Sequence, residues 1–273
     1  AVSLTCPTML QRMFVRYENV CPMKTMKLML GRAGAVLCCA AALLMGSPSE
    51  SQAQVRSLDD VVKSGTLRVG VNPNFPPMSS YGMTNQLEGF DVDIAMRIGE
   101  ELKVKVRLVP TAAAQRVAFL ASGRIDIALG ALTGTPARAR LIDFSAPLHT
   151  EAMSVLTTDR LTIQSWRELD DPNITLVNMR GNLSVGLLAE RLPKAKTLLV
   201  DGNADTVRAL AQGRADALVE NIDLFMKFTE TYRNVQWRTL DEVLHVAYCG
   251  IGLARGNDDL RHFLNILLFD LHS

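Results

Sequence analysis

Residues 119–129 read FLASGRIDIAL and residues 209–219 read ALAQGRADALV, so one pattern occurs twice in the chain. In each copy an apolar, helix-like stretch leads into Gly-Arg-x-Asp and then into a short aliphatic run. Glycine accepts the left-handed conformation that ends many helices, and a continuous aliphatic run is typical of a buried parallel strand. Each copy therefore predicts a helix–turn–strand unit. The pair predicts two similar α/β lobes with a ligand site at their boundary.

The first 53 residues have the pattern of a targeting segment and are not expected to belong to the fold. An apolar run at 33–46 is preceded by basic residues, namely Lys24, Lys27 and Arg32, and is followed by the small-residue cleavage site Ser51-Gln52-Ala53. This order is typical of a secretory signal peptide, and the apolar run is shorter than the roughly 20 residues that span a bilayer. We therefore expect cleavage and a periplasmic location, with residues 1–22 upstream of the natural start.

The charge of the predicted mature chain argues against polyanionic partners. Removing five basic and two acidic residues from totals of 29 and 28 leaves 24 basic and 26 acidic residues. A net charge near −2 provides no basic surface for nucleic acid or for an anionic membrane. Of the five cysteines only Cys249 follows residue 53, so no disulfide can form within the mature chain. The apolar neighbours of Cys249 predict a buried structural thiol.

Strands and helices are predicted to alternate along the mature chain, as in βα units. The predicted strands are 67–71, 104–109 and 125–129 in the first lobe and 174–178, 197–200 and 217–219 in the second. Two long apolar runs, at 152–158 and 243–253, are predicted to cross between the lobes as hinge strands. The predicted organisation is an upstream segment at 1–53, lobe 1 at 54–152 with 245–273, and lobe 2 at 153–244.

Six stretches of the mature chain carry a family resemblance. They are GTLRVGV at 65–71, the Phe75-Pro76-Pro77 turn, LEGFDVDIA at 87–95, SGRIDIALGALTGTPARAR at 122–140, IDFSAPL at 142–148 and GIGLARG at 250–256. In this order and spacing they resemble the type II periplasmic solute-binding proteins of the amino-acid class, family 3. The resemblance implies two α/β lobes joined by two hinge strands. It also implies a monomer without a cofactor that closes on an amino acid or related small carboxylate and delivers it to an ABC permease.

The residues around Arg138 predict a site for an anion. Thr135 and Pro136 form a helix start, with Thr135 as N-cap and Pro136 in the first helical position. Arg138 then lies in the first turn, where the helix dipole disfavours a cation. A ligand carboxylate can pair with two donors of a guanidinium, whereas the alternative is an internal pair with Asp143 or Asp126. The resemblance favours the ligand, because the matching family arginine binds the ligand carboxylate.

The resemblance also implies most of the other ligand contacts. Thr133 matches a hydroxyl that contacts the same carboxylate, the backbone around Ala131 accepts from the ligand amine, and Phe75 matches an aromatic that stacks on the solute. An exposed Phe75 in a proline-rich turn is otherwise hard to explain by core packing. Asn182 precedes a helix whose free amides form an anion site, although capping alone also explains this asparagine.

Two positions depart from the family pattern. The ammonium-binding aspartate of the family falls on Asn221, whose amide can hydrogen-bond an ammonium but cannot neutralise it. The adjacent Glu220 could substitute if the register of the strand slips, but on a regular strand it is expected to point the opposite way. Asn221 has the alternative role of capping the helix at Ile222. This departure favours a solute whose amine is absent or substituted. Arg116 is either a second anion ligand or, as we favour, a solvated helix arginine.

The sequence contains no signature of the common enzyme classes. It has no Gly-x-Ser-x-Gly, no His-Glu-x-x-His, no P-loop and no Cys/His metal spacing. We therefore expect a binding protein with no catalytic residue and no metal. The alternative is a periplasmic cyclohexadienyl dehydratase, an enzyme that resembles this family and uses the same cleft. Its chemistry needs a general acid in the pocket, for which the candidates are Glu220, Glu151 and His149.

Overall fold

The computed structural model describes residues 54–273, apart from the side chains of residues 223 and 224. The predicted signal peptide at 1–53 therefore lies outside the described residues. Within residues 54–273 no helix is both long enough and apolar enough to cross a membrane.

Strands and helices alternate along the described chain, as predicted. The helices are α1 Leu58–Ser64, α2 Phe90–Leu102, α3 Arg116–Ala121, α4 Pro136–Ala139, α5 Leu183–Arg191, α6 Asn203–Ala211, α7 Ile222–Thr229 and α8 Asp258–Leu271. The strands are β1 Thr66–Val71, β2 Asn74–Phe75, β3 Ser79–Tyr81, β4 Leu87–Glu88, β5 Lys105–Pro110, β6 Ile127–Ala128, β7 Ile142–Thr158, β8 Thr175–Met179, β9 Lys196–Val200, β10 Ala217–Asn221, β11 Trp237–Thr239 and β12 His245–Ala254.

One mixed sheet organises the fold, in the order β5-β1-β6-β12-β7-β10-β8-β9, with β11 paired to β7. The strands β5, β1 and β6 are parallel to one another, and so are β10, β8 and β9. Between these two groups lies the antiparallel pair of β12 and β7. Read outward from this pair, the two parallel groups have the same connectivity, which confirms the predicted α/β class.

The repeated Gly-Arg-x-Asp pattern forms the same structure in both halves of the sheet. Gly123 and Gly213 both have φ +69°, the left-handed conformation predicted for a helix end. Asp126 Oδ2 accepts a hydrogen bond from the backbone N–H of Arg68 at 2.7 Å. In the other half, Asp216 Oδ2 accepts one from the backbone N–H of Thr175 at 2.7 Å. Each aspartate therefore fixes the start of its strand to the neighbouring parallel strand.

The strand β7 runs through both halves of the sheet, since it is 17 residues long. The strand was predicted to begin at residue 152 but begins at Ile142, because pairing with β12 continues through a register shift at Gly250. One apolar cluster combines residues of 61–148 with residues of 251–268, and a second draws only on residues 153–247. A third cluster packs Phe75 and Met78 against Phe225. The lobe boundaries stay a prediction.

We expect Asp126→Asn to lower the free energy of unfolding at pH 7 by about 3 kcal/mol, because it removes the buried partner of two arginines. The Asp126 side chain is inaccessible and pairs with Arg56 and Arg68. Burial opposes ionisation, but hydrogen bonds from Arg68 and Arg56 lower the pKa of Asp126 below its ordinary value. The stabilisation is therefore present above about pH 4, the pKa in the unfolded chain, and is lost as the pH falls through the lower folded pKa.

Urea unfolding of wild type and Asp126→Asn at pH 7 and at pH 3 measures the loss of stability and its dependence on pH. The matched control is Asp201→Asn, since Asp201 is 83% exposed and pairs with Arg180 at 2.7 Å. Such a surface pair contributes about 0.2–1 kcal/mol. Equal unfolding midpoints for the two variants at pH 7 would contradict the role given to Asp126.

Candidate functional site

A polar cavity lies where the carboxyl ends of the parallel strands in both halves meet the crossing strand β7. Such edges are where open α/β sheets bind ligands. The cavity is lined by Asn72, Phe75, Arg116, Gly130, Ala131, Thr133, Arg138, Glu151, Met153, Met179, Asn182, Leu183, Glu220 and Ala247. Five of the six predicted site residues are in this lining, and Asn221 is not.

Arg138 reaches across the cavity from the first turn of α4. Thr135 Oγ1 accepts from the backbone N–H of Arg138 at 3.2 Å, which confirms the predicted N-cap. Arg138 Nη1 donates to the Thr133 carbonyl and Nη2 donates to the Gly181 carbonyl, each at 2.8 Å. These bonds hold the guanidinium between residues of the first half and residues of the second.

Neither of the internal acidic partners considered for Arg138 is bound to it. Asp126 pairs with two other arginines, and Asp143 Oδ2 accepts from the backbone N–H of Gly256 at 2.8 Å. Within residues 54–273, no carboxylate with a described side chain lies within 4.0 Å of the Arg138 guanidinium. Burial lowers the pKa of Arg138 from its ordinary value. The cation is thus desolvated and available to an anion.

Arg116 is a second cation in the cavity and is buried, so its interpretation as a solvated arginine is wrong. It is 3% exposed. Its Nε donates to the Ala113 carbonyl at 3.3 Å, and its Nη1 donates to the Gly130 carbonyl. The side chain therefore turns inward from the start of α3 onto carbonyl oxygens. Burial, with help from the charge of Arg138, lowers the pKa of Arg116 to about 10, so the group remains charged at neutral pH.

The acidic residue of β10 that faces the cavity is Glu220, contrary to the prediction for Asn221. Asn182 Nδ2 donates to Glu220 Oε1 at 2.8 Å, and the Ser184 hydroxyl donates to the same oxygen. Burial raises the pKa of Glu220 to about 7; these two hydrogen bonds oppose the shift, and the charge of Glu151 adds to it. Glu220 therefore keeps its proton to a higher pH than an exposed glutamate does.

Asn221 is the last residue of β10 and directly precedes α7. Its side chain lies on the opposite face of β10 from that of Glu220. Asn221 occupies the N-cap position of α7, but its side chain makes no capping hydrogen bond. The strand was predicted to end at Val219, whereas it continues to Asn221 and pairs with Met153 of β7. This extension places Glu220 in the cavity lining, which removes the reason for expecting a solute without an amine.

The other predicted contacts differ from expectation in detail. Phe75 lines the cavity but is 8% exposed and packs on Phe225, with ring centroids 6.3 Å apart. It is therefore partly a core residue. The Gly130 carbonyl, beside Ala131, already accepts from Arg116. Asn182 occupies the N-cap position of α5, but its side chain binds Glu220 instead of capping that helix.

Cys249 is buried, as predicted, and lies in a group of polar side chains behind the cavity wall. Its Sγ is 3.5 Å from Glu151 Oε2 and 3.7 Å from Thr133 Oγ1. Glu151 Oε1 is 3.8 Å from His149 Nε2. Burial, and next the charge of Glu151, raise the pKa of the Cys249 thiol to about 12, so it is protonated as it stands.

The closeness of the two halves depends on a glycine. Gly181 has φ +81°, and a Cβ placed there would lie 2.6 Å from Ala114 Cα. Any other residue would push apart the backbones that bring Arg138 to the Gly181 carbonyl. The sequence signal that could have indicated this contact is the glycine itself, since glycine is used where a backbone has φ > 0 or approaches another backbone closely.

The comparisons with known proteins agree with this architecture. The sequence profile described as "Bacterial extracellular solute-binding proteins, family 3" matches residues 67–273. The cyclohexadienyl dehydratase of Pseudomonas aeruginosa is 29% identical over 181 residues, which are 66% of this chain and 68% of that protein. The L-cystine-binding protein of Escherichia coli is 28% identical over 250 residues, which are 89% of this chain and 91% of that protein.

Solved structures show the same fold. An ancestral amino acid-binding protein, described as a precursor of cyclohexadienyl dehydratase, has a TM-score of 0.72 and 30% identity over 79% of this chain and 93% of its own. The solute receptor for L-cysteine of Neisseria gonorrhoeae has a TM-score of 0.73 and 27% identity over 80% of this chain and 88% of its own. These matches confirm the predicted fold.

We expect the stability of the solute-free protein to fall by about 3 kcal/mol between pH 4 and pH 8 relative to that of Glu220→Gln. The folded pKa of about 7 lies above the unfolded value near 4.5, so the folded state holds the extra proton between them. Stability therefore falls as the pH rises through this range and stays low above pH 7. Urea unfolding of both proteins at both pH values measures the difference.

The control is Glu190→Gln, which makes the same replacement at an exposed glutamate on α5 outside the cavity lining. A difference between wild type and Glu220→Gln that does not change with pH would show that Glu220 titrates as an ordinary carboxyl.

Proposed function

Because this chain belongs to the bacterial extracellular solute-binding proteins of family 3, we propose that it is the solute-binding component of an ABC importer. Its ligand would be an amino acid or a related small carboxylate, held between the two lobes. The family description and the predicted signal peptide both support a periplasmic location. The permease of the inner membrane would receive the solute, and we propose that the protein acts as a monomer.

The observation that carries this proposal is a cavity with separated charges of both signs. Arg116 and Arg138 have no carboxylate within 4.0 Å among the described side chains. On the β7 and β10 side, Glu151 and Glu220 are both buried and have no lysine or arginine within that distance among the same residues. A buried charge without a partner is unfavourable. A zwitterion would supply a partner for each sign.

The ligand's carboxylate is proposed to pair with Arg138, next to the Thr133 hydroxyl. Its ammonium is proposed to bind Glu220, whose remaining oxygen Oε2 is not used by Asn182 or Ser184. An approaching cation favours the ionised form of a carboxyl and lowers its pKa. Glu220 would therefore lose its proton on binding. Relatives named for L-cystine and L-cysteine take ligands with both groups, which supports this polarity.

We expect Arg138→Ala to weaken binding of the solute by about 2–5 kcal/mol, because it removes the charge partner of a desolvated carboxylate. A thermal-shift screen over L-amino acids and small dicarboxylates identifies the solute, since a ligand of the folded state raises the melting temperature. Calorimetry on wild type and variant then gives the two affinities.

Arg140→Ala is the matched control, since Arg140 directly follows the same short helix but is exposed. It should bind like wild type. If Arg138→Ala binds the identified solute as tightly as Arg140→Ala, the carboxylate contact is misplaced. If no small carboxylate or amino acid in the screen raises the melting temperature, the proposed function itself is unsupported.

A second candidate function is that of a cyclohexadienyl dehydratase, and Glu220 is the observation that favours it. A carboxyl with a pKa of about 7 is partly protonated at neutral pH, as a general acid must be. In such a reaction the acid protonates the leaving hydroxyl of the ring, which departs as water. The ring carboxylate leaves as carbon dioxide, and its bonding electrons complete the aromatic ring. Arg116 and Arg138 could bind the two carboxylates of prephenate.

Incubation with prephenate and with arogenate, followed by detection of the aromatic product, tests this candidate. If the protein is a dehydratase, wild type forms product and Glu220→Gln is reduced at least 100-fold, because an amide cannot supply the proton. Glu190→Gln should retain full activity. Absence of product from both substrates would rule out the enzyme and leave the transport proposal unaffected.

A further inference from the structure

Three side chains that commonly ligate metals meet on the crossing strands. His149 and Glu151 are two residues apart on β7 and therefore point to the same face. Cys249 lies directly opposite His149 on β12. One ligand atom from each residue lies within 4.8 Å of the other two. The group is thus fixed by the register of the two longest paired strands.

Several atoms in this group lack the partners that buried polar atoms normally have. His149 Nδ1, His149 Nε2 and Glu151 Oε1 are buried and accept or donate no hydrogen bond among the described residues. Glu151 as a whole is 8% exposed and Cys249 is 1% exposed. Nearly all buried polar side-chain atoms in proteins are hydrogen-bonded or bound to an ion or water. The unpartnered atoms therefore point to a species that satisfies a nitrogen and an oxygen together.

We propose that His149, Glu151 and Cys249 form a binding site for a zinc ion. Imidazole nitrogen, thiolate sulfur and carboxylate oxygen are the three ligand types that zinc takes in proteins. Bond lengths of about 2.0–2.3 Å in a tetrahedron separate neighbouring ligand atoms by about 3.3–3.8 Å. Cys249 Sγ lies 3.5 Å from Glu151 Oε2, and His149 Nε2 lies 3.8 Å from the other oxygen, Oε1. With one ligand atom from each residue, all three lie within 4.8 Å of one another. Side-chain movements of about 1 Å would therefore bring them to the spacing that the ion requires.

Charge balance also favours a divalent ion at this position. Binding converts the Cys249 thiol to a thiolate, and the proton leaves to solvent. The thiolate and the Glu151 carboxylate then neutralise both charges of the ion. Because the bound site has no net charge, the nearby guanidinium of Arg116 does not repel it.

Three protein ligands leave the fourth tetrahedral position open, as in zinc sites that bind a further molecule. Because Glu151 and Thr133 both line the cavity, an ion held by Glu151 would be within reach of a molecule in the cleft. Water or a ligand atom of the solute could occupy the open position. This inference does not depend on the proposed transport function, since the ion needs no solute in order to bind.

The test is a titration of the tag-free, chelator-treated full chain with Co²⁺ and with Zn²⁺. We expect one ion per chain, with a dissociation constant of 10 μM or lower, and a thiolate-to-cobalt charge-transfer band that Zn²⁺ removes. Cys249→Ser should abolish the band. His149→Gln and Glu151→Gln should weaken Zn²⁺ binding at least tenfold. His262→Gln, an exposed histidine on α8, should bind like wild type.

The four cysteines within residues 1–53 remain in every variant. A charge-transfer band that persists in Cys249→Ser would therefore come from one of them, and this result would overturn the assignment of the ion to Cys249. Absence of stoichiometric binding by wild type at 1 mM Zn²⁺ also overturns it, as does unchanged affinity in both His149→Gln and Glu151→Gln. Circular dichroism checks that each variant is folded. If Cys249→Ser does not fold, the decision rests on the other two variants.

Discussion

The antiparallel pairing of β7 with β12 is the constraint on which the rest of the structure depends. Both parallel groups of strands attach to this pair, one through β6 and the other through β10. The cavity lies beside it, because β7 carries Glu151 and Met153 while β12 carries Ala247. Since the side chains of a strand alternate between its two faces, the register of this one pair decides which groups enter the cleft.

The cleft holds its charged groups apart instead of pairing them. The guanidinium groups of Arg116, which is buried, and Arg138, which is half-buried, donate to backbone carbonyls, and Glu220 accepts from Asn182 and Ser184. Direct ion pairs between these groups would stabilise the empty protein but would leave less binding energy for a solute. Because the arginines and Glu220 are not paired with one another, each remains able to pair with a charged group of the solute. Strongly shifted pKa values at such positions are typical of functional sites.

The sequence predicted the scaffold better than it predicted the chemistry of the cleft. The repeated Gly-Arg-x-Asp pattern encodes a local turn, so its structure follows from residues close in sequence. Glu220 was named as a candidate general acid but was expected to point away from the ligand, because three buried aliphatic residues precede it and leave no alternation to show which face of the strand it occupies. The pairing of His149 with Cys249 joins residues 100 positions apart. Only the register of β7 and β12 reveals it, and no short motif encodes that register.

The protonation state of Glu220 separates the two functions that this cleft could perform. An ammonium beside Glu220 would stabilise the carboxylate and draw the pKa down from about 7. A hydroxyl leaving group needs the neutral acid, and a ligand with two carboxylates would raise the pKa by adding negative charge. Under the two proposals, the ligand would therefore decide whether Glu220 acts as a fixed anion or as a proton donor. Because burial by the surrounding protein raises the pKa to about 7, a change of ligand would be enough to exchange these roles without a change of fold.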